Sequence, residues 1–191
     1  MKQVRTTAAP QPVVLVLASG RGQRFNASGG TGSKLQAPLG GKPVLEWTLD
    51  AVRRSGMPWH LEAQGHEGMG DSIAAAVQAT RDASGWLVLP GDLPLVQPET
   101  LQAVALALAD HAVVVPWFEG RRGHPVGFGP SCRDALLRLE GAEGAASVVR
   151  VHDRMNLAHH LAVPDPGVLT DIDTVEDLAG AERLLAASSH R

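Results

Sequence analysis

Five consecutive apolar residues, Val13-Val14-Leu15-Val16-Leu17, run directly into Ala18-Ser19-Gly20-Arg21-Gly22-Gln23-Arg24-Phe25. An uninterrupted β-branched and leucine run of this length reads as a strand buried on both faces, which is how parallel strands of α/β proteins are written. The turn after it is poor in side-chain bulk and carries two glycines and two arginines. Small residues let a ligand approach main-chain N–H groups, and Arg21, Arg24 and the downstream Lys34 supply positive charge. The segment therefore has the chemistry of a polyphosphate cradle.

Two common phosphate loops do not fit it. A P-loop requires G-x-x-x-x-G-K-[ST]; Gly29-Gly30-Thr31-Gly32-Ser33-Lys34-Leu35 puts Ser between Gly and Lys and has no hydroxyl after the lysine. A dinucleotide loop requires G-x-G-x-x-G; Gly20-Arg21-Gly22-Gln23-Arg24-Phe25 has Phe25 at the third glycine.

Strand-like and helix-like segments alternate along the rest of the chain, which argues for an α/β fold with a largely parallel sheet. The periodicity predicts a helix opened by Pro43 and closed by Gly56, and one over 73–81 capped by Asp71 or Ser72. A strand is expected at Trp86–Leu89, a helix from Pro98 to about Asp110 and a strand over 112–115. Helices are expected over 131–139 and 145–151, a strand over 155–163 and a closing helix over 175–187. Asn26–Gly32, rich in Gly, Ser and Thr, is expected to be a mobile loop. Residues 1–12 read as a flexible start and 13–187 as one domain.

Composition narrows the function classes. The 191 residues are 44% hydrophobic and 19% charged with net charge −3, so a general affinity for nucleic acid is not expected. Cys132 is the only cysteine, which excludes an intrachain disulfide and a cysteine metal cluster and fits a reducing cytoplasm. No apolar run approaches the roughly 20 residues of a membrane span. The polar first residues lack the apolar core of a signal peptide.

The strand-turn Leu17-Ala18-Ser19-Gly20-Arg21-Gly22-Gln23-Arg24-Phe25 with Lys34-Leu35 resembles the signature of the MobA-like NTP transferase family. Five further segments fall in that family's order. They are Pro38–Leu45, Glu67-Gly68-Met69-Gly70-Asp71-Ser72, Gly91-Asp92-Leu93-Pro94-Leu95-Val96, Gly123-His124-Pro125-Val126 and Asp171–Leu178. The resemblance covers about Val13 to Leu185 and is nearest to the molybdenum cofactor cytidylyltransferases. It implies a three-layer α/β/α sandwich with a mostly parallel, mixed sheet, a Rossmann-like nucleotidyltransferase fold of the GT-A-like type. The chain departs from the family in two stretches. It has several extra residues between Arg24 and Lys34, and it lacks most of one strand–helix unit between Arg53 and Gly70.

The resemblance also implies roles. Asp92 is the expected Mg2+ ligand, with Asp173 as the second; read by itself, Asp92 is a turn residue and Asp173 or Thr174 a helix cap. Lys34 and Arg24, with Asp92, are the expected catalytic residues. Leu17, Ala18, Ser19, Gly20, Arg21, Gly22, Lys34, Gly68, Ser72 and Asp92 are expected to bind nucleotide, and Gly123 and His124 the acceptor. The glycines around Met69 would let backbone approach the nucleotide, while Ser72 equally reads as a helix cap. The expected partners are a nucleoside triphosphate and a small phosphorylated acceptor such as molybdopterin. A protein partner among molybdoenzyme maturation factors is also implied; no nucleic acid or membrane is expected. The reaction read from these residues is Mg2+-dependent transfer of a nucleoside monophosphate, CMP from CTP, with release of pyrophosphate. Guanylyl or sugar-phosphate transfer, and a non-catalytic nucleotide-binding protein, are the alternatives. Ser19 stands where relatives carry Ala or Gly and leaves the base open.

Overall fold

Val14, Leu15 and Val16 are fully buried, so the first strand is covered on both faces. Burial of each such side chain contributes about 1.5–3 kcal/mol, which fixes this strand at the centre of the fold. The computed structural model describes residues 11–20 and 22–188. Arg21 and residues 1–10 of the expected flexible start lie outside the described residues.

The elements run β1 (Val13–Leu17), α1 (Gln23–Ala27), β2 (Pro38–Leu39), β3 (Lys42–Pro43), α2 (Val44–Ser55) and β4 (Trp59–Glu62). Next come α3 (Met69–Ala79), β5 (Trp86–Pro90), α4 (Pro98–Ala107), β6 (Val113–Phe118), β7 (Arg121–Arg122) and β8 (Val126–Phe128). The chain continues through α5 (Arg133–Leu137), α6 (Ala146–Arg154), β9 (Ala158–Ala162) and α7 (Val175–Ser188). The main sheet has the order β4-β1-β5-β8-β6, with β7 and β9 also paired to β6. β1 runs parallel to β4 and β5, and β6 parallel to β9; β8 is antiparallel to both its neighbours.

Alternate side chains of β1 and β5 feed two cores. Val14, Val16, Leu87 and Leu89 pack with Leu49 and Val52 of α2 and Leu101 and Val104 of α4. Leu15, Trp86 and Val88 pack on the other face with Ile73 and Val77 of α3, Leu136 of α5 and Val148 of α6. This is the expected three-layer α/β/α arrangement. A third cluster joins Phe25, Leu39, Val44, Ile172 and Ala181, so α7 braces the segment between β1 and α2.

The expected boundaries of β1, α2, β5 and α4 agree closely with those observed. Gly56 takes the left-handed φ of +70° that ends α2, a conformation glycine adopts without strain. Three readings need correction. Residues 26–32 are not a free loop: α1 extends to Ala27, Ser28 Oγ donates to the Phe25 carbonyl and accepts from the Val175 N–H, and Gly30 lies flat against the Phe25 ring. The shortened 53–70 stretch still supplies a sheet strand, β4, parallel to β1. Neither Asp71 nor Ser72 caps α3. The helix begins at Met69 after Gly68, Asp71 accepts from the Gly141 N–H, and Ser72 lies inside the first turn.

Candidate nucleotide cleft

The register Leu17↔Pro90 sets the C-terminal ends of β1 and β5 side by side. Their turns, Ala18–Gly22 and Gly91-Asp92, therefore open onto the same edge, where open α/β sheets hold ligands. Asp92 is fixed by its neighbours. Gly91 N–H donates to the Leu17 carbonyl at 2.9 Å, and the buried Thr48 hydroxyl donates to the Gly91 carbonyl at 3.0 Å. A side chain at Gly91 would meet Leu45 and the Leu17 carbonyl, so the close approach requires glycine. Ile172 N–H donates to the Asp92 carbonyl at 3.0 Å and carries Asp171 and Asp173 to the same edge.

Lys34 opens a 3-10 turn over Lys34–Gln36, anchored by the buried Leu35. Its Nζ lies 2.5 Å from Asp92 Oδ2 and 2.7 Å from Asp173 Oδ1. Arg24, next to the buried Phe25 on α1, is exposed, and its Nη1 lies 2.6 Å from Asp173 Oδ2. Two cations and two carboxylates from four distant parts of the chain thus form one charge-balanced cluster. Lys34, Asp92 and Asp173 are each less than one-fifth exposed at the side chain, whereas Arg24 is 78% exposed. Burial opposes the Lys34 charge, but attraction and hydrogen bonding to Asp92 and Asp173 outweigh it and hold the lysine pKa above its ordinary value. The Asp171 pKa is also raised, which for a carboxyl disfavours the charged form: burial, reinforced by Asp92, Asp173 and Asp177, outweighs a backbone hydrogen bond.

The cap of α7 is separate from this cluster. Asp177 accepts from the N–H groups of Asp173 and Thr174, and its own N–H donates to Thr174 Oγ1, a reciprocal capping box. Thr174 is therefore the cap, and the Asp173 carboxylate is left for Lys34 and Arg24.

The cleft encloses about 690 Å³, within the ~300–1,000 Å³ of small-molecule sites. Leu17, Ser19, Gly20, Gly22, Arg24, Lys34, Gly68, Asp92, His124 and Asp173 all line it. Ala18, Ser72 and Gly123 are not on its wall. The Ser72 hydroxyl is buried behind Ser19, 2.8 Å from Ser19 Oγ and 3.1 Å from the Gly68 carbonyl. Gly123 is packed against Val168, with no room for a side chain, and serves to bring in the 166–169 turn. Gly68 and Gly70 are likewise required by protein packing, because a Cβ at either would run into the backbone of Gly141 or Glu140. Gly68 nonetheless lines the cleft as well.

His124 is held by its N–H on the Val168 carbonyl, and burial lowers its pKa, with the Asp92 charge opposing in part. A neutral ring at neutral pH follows. The expectation had not included His66, Met69, Arg121 or Arg122, which also line the cleft. His66 is held by Glu62, a buried carboxylate that also accepts from the Gln64 N–H. The E-x-x-x-H spacing in the shortened stretch was the available signal. For the arginines it was the paired charge between Gly120 and Gly123.

A metal site can be tested against this donor set. Two carboxylates that converge on one cation can converge on another, and Asp92 Oδ1 is buried with no hydrogen-bond partner. All the donors are hard oxygens, which suit Mg2+ with phosphates and water completing the sphere. The residues fit such an ion. Among the described residues no group of three or more His, Cys, Asp or Glu forms a complete protein cage.

The model of the MobA-like NTP transferase domain matches residues 51–158, more than half of the chain. The chain belongs to this family. The matched span of the MobA-like domain begins after β1 and includes Asp92, whereas Arg24, Lys34 and Asp173 of the cluster lie outside it. Bifunctional protein GlmU of Azoarcus sp. is 30% identical over 148 residues, 66% of this chain and 32% of that protein. The 2-C-methyl-D-erythritol 4-phosphate cytidylyltransferase of Frankia casuarinae is 35% identical over 133 residues, 57% of this chain and 48% of that one. The chain thus spans about a third to a half of the length of these curated relatives. Among solved structures, Rv0371c of Mycobacterium tuberculosis is 25% identical with a TM-score of 0.77, over 91% of this chain and 98% of that one. A structure of the same mycobacterial protein in complex with manganese gives a TM-score of 0.70 at 23% identity, over 91% of this chain and 98% of that one. No helix among the described residues of this MobA-like protein is long and apolar enough to cross a membrane.

Proposed function

We infer that this chain transfers CMP from CTP to the terminal phosphate of a small acceptor, with molybdopterin the first candidate. The observation that carries this reading is the convergence of Lys34, Arg24, Asp92 and Asp173 at the edge of β1 and β5. An acceptor phosphate oxygen attacks the α-phosphorus of the triphosphate, a new P–O bond forms, and the bond to the β-phosphate oxygen breaks with release of pyrophosphate. The attacking oxygen is already anionic, so no general base is required. His124 is neutral and available as a hydrogen-bond partner on the acceptor side.

Asp92 and Asp173 would hold Mg2+, which when bound supplies charge neutralisation and orientation of the phosphates. The manganese complex of the mycobacterial structure supports a divalent ion in this fold. Lys34 and Arg24, released from the carboxylates, would pair with the charge gathering on pyrophosphate. Interactions that strengthen as the bond breaks accelerate chemistry, whereas uniform binding does not.

The cytidylyltransferase relative supports CTP and favours a second acceptor reading, a phosphorylated alcohol such as its own substrate class. Thermal-shift titration with the four nucleoside triphosphates, with and without Mg2+, tests the first half. CTP with Mg2+ should give the largest shift, and CMP little. Pyrophosphate release with molybdopterin or a polyol phosphate tests the second. A GTP preference would favour guanylyl transfer. Binding with no turnover on any phosphorylated acceptor would indicate a non-catalytic nucleotide-binding protein.

A further inference from the structure

The cleft has an end built on ion pairs and an end without them, where Glu67 also lines the wall. Lys34, Arg24, Asp92 and Asp173 occupy the first. Ser19, Gly68 and Met69 lie at the second, where Met69 is 47% exposed and offers an apolar surface. A triphosphate matched to the charged end directs its base toward Ser19 and Met69, and a thioether is a good surface for an aromatic ring.

The hydroxyl of Ser19 does not face that base freely. Ser72 Oγ stands 3.1 Å from the Gly68 carbonyl and 2.8 Å from Ser19 Oγ. A carbonyl only accepts, and a hydroxyl has one proton. Both contacts are hydrogen bonds in one arrangement alone: Ser72 donates to Gly68, and Ser19 donates to Ser72. The proton of Ser19 is then spent inside the protein, and its oxygen turns only lone pairs toward the cleft. Ser72 is 1% exposed, so water does not compete for this chain of bonds.

We propose that Ser19 is a hydrogen-bond acceptor for a nucleobase amino group, its polarity set by the Ser72–Gly68 relay, and that this pair selects cytosine over uracil. The two bases are nearly isosteric and differ where cytosine carries an amino donor and uracil a carbonyl acceptor. An acceptor facing the amino group gains a bond; the same acceptor facing the carbonyl leaves two oxygens opposed. Sites with fixed polar groups reject analogues that cannot pair with them more strongly than pockets of fixed shape alone. Ser72 is a positioning residue here, since it acts through Ser19. The inference rests on the nucleotide reading above and adds which base edge the site reads.

Calorimetric titration of the whole chain with CTP, UTP and inorganic triphosphate, in Mg2+, tests it. The wild type should bind CTP about tenfold tighter than UTP, the order of one neutral hydrogen bond gained and one mismatch avoided. Ser72→Ala should bring the two affinities to within about threefold by improving UTP, because the freed hydroxyl can rotate to donate. Ser19→Ala should also collapse the ratio, but by weakening CTP; this variant alters only a half-buried side chain and serves if Ser72→Ala does not fold. Equal CTP and UTP affinity in the wild type, or a ratio unmoved in a folded variant, overturns the relay while leaving the nucleotide site standing. Failure of both CTP and inorganic triphosphate to bind the wild type removes the nucleotide reading and the relay with it.

Discussion

At one end of the cleft, charges drawn from residues 24, 34, 92 and 173 meet within hydrogen-bond distance. At the other, Ser19, Gly68 and Met69 present a hydroxyl oxygen, a bare backbone and a thioether. The charged end is held by attraction among its members and by the hydrogen bond from Ile172 to Asp92. The other end is held by packing, with Gly68 and Gly70 pressed against the 140–141 turn and Asp71 accepting from the Gly141 N–H. The difference separates strength from selectivity. Ionic contacts bind any polyphosphate and are costly to break singly, because the partner is left charged and partly buried. A hydroxyl with a fixed proton would contribute less energy but would distinguish one base from another.

The largest break in this contrast should come from Asp92→Ala. It removes a carboxylate from both the lysine pair and the expected metal site, and pyrophosphate release should fall at least about a thousandfold. Near-normal turnover in the folded variant would remove Asp92 from the chemistry. Lys34→Ala should cost about a hundredfold in maximal rate, with a smaller change in triphosphate affinity. It should also tighten binding of Mn2+ alone, followed by paramagnetic titration, because the lysine and the metal draw on the same oxygens. An unchanged rate with only a raised Michaelis constant would make Lys34 a ground-state binder.

Lys34 also gives the charged end a pH signature. Its pKa is raised in the folded protein above the ordinary 10.5. Its contribution to stability is therefore complete below the unfolded value and is lost as pH rises through the folded one. Melting curves of the wild type should fall through this alkaline window, and those of Lys34→Gln should fall less. Parallel curves would mean that the ion pairs do not stabilise the fold. Arg24→Ala should have a smaller effect, about tenfold in rate and under about 1 kcal/mol in stability, since its side chain is largely solvated. At the other end, Met69→Ala should weaken CTP binding about threefold and leave inorganic triphosphate unaffected. An equal loss for both ligands would erase the distinction between the two ends.

The sequence was most readable where local chemistry decides structure. The apolar runs of β1 and β5, Pro43 and Pro98 at helix starts and Gly56 at a helix end all act within a few residues. The charged end was readable because Lys34, Asp92 and Asp173 sit in motifs, although nothing local showed that Lys34 would bridge the two carboxylates. What escaped was tertiary. The packing need for Gly68 and Gly70 was not visible because the 140–141 turn that presses on them is about 70 residues away. Asn26–Gly32 looked like a mobile loop because its restraints, the Phe25 ring and the Val175 N–H, involve packing and a partner 147 residues distant. Ser72 read as a cap from its place before an apolar run, and its link to Ser19 depends on β1 and α3 lying side by side.

The bracing of the first loops by α7 bears on when the protein becomes competent during its synthesis. Asp173 lies 139 residues beyond Lys34 and immediately before the helix whose Ala181 packs with Leu39 and Val44. A nascent chain can form β1, α2 and β5 early, yet Lys34 and Arg24 have no Asp173 to meet until the ribosome has released that residue and α7 has docked. A chain arrested before Asp173 and α7 would carry the strand framework with an unfinished charged end. Assembly of the charged end thus waits on a segment 139 residues downstream of Lys34.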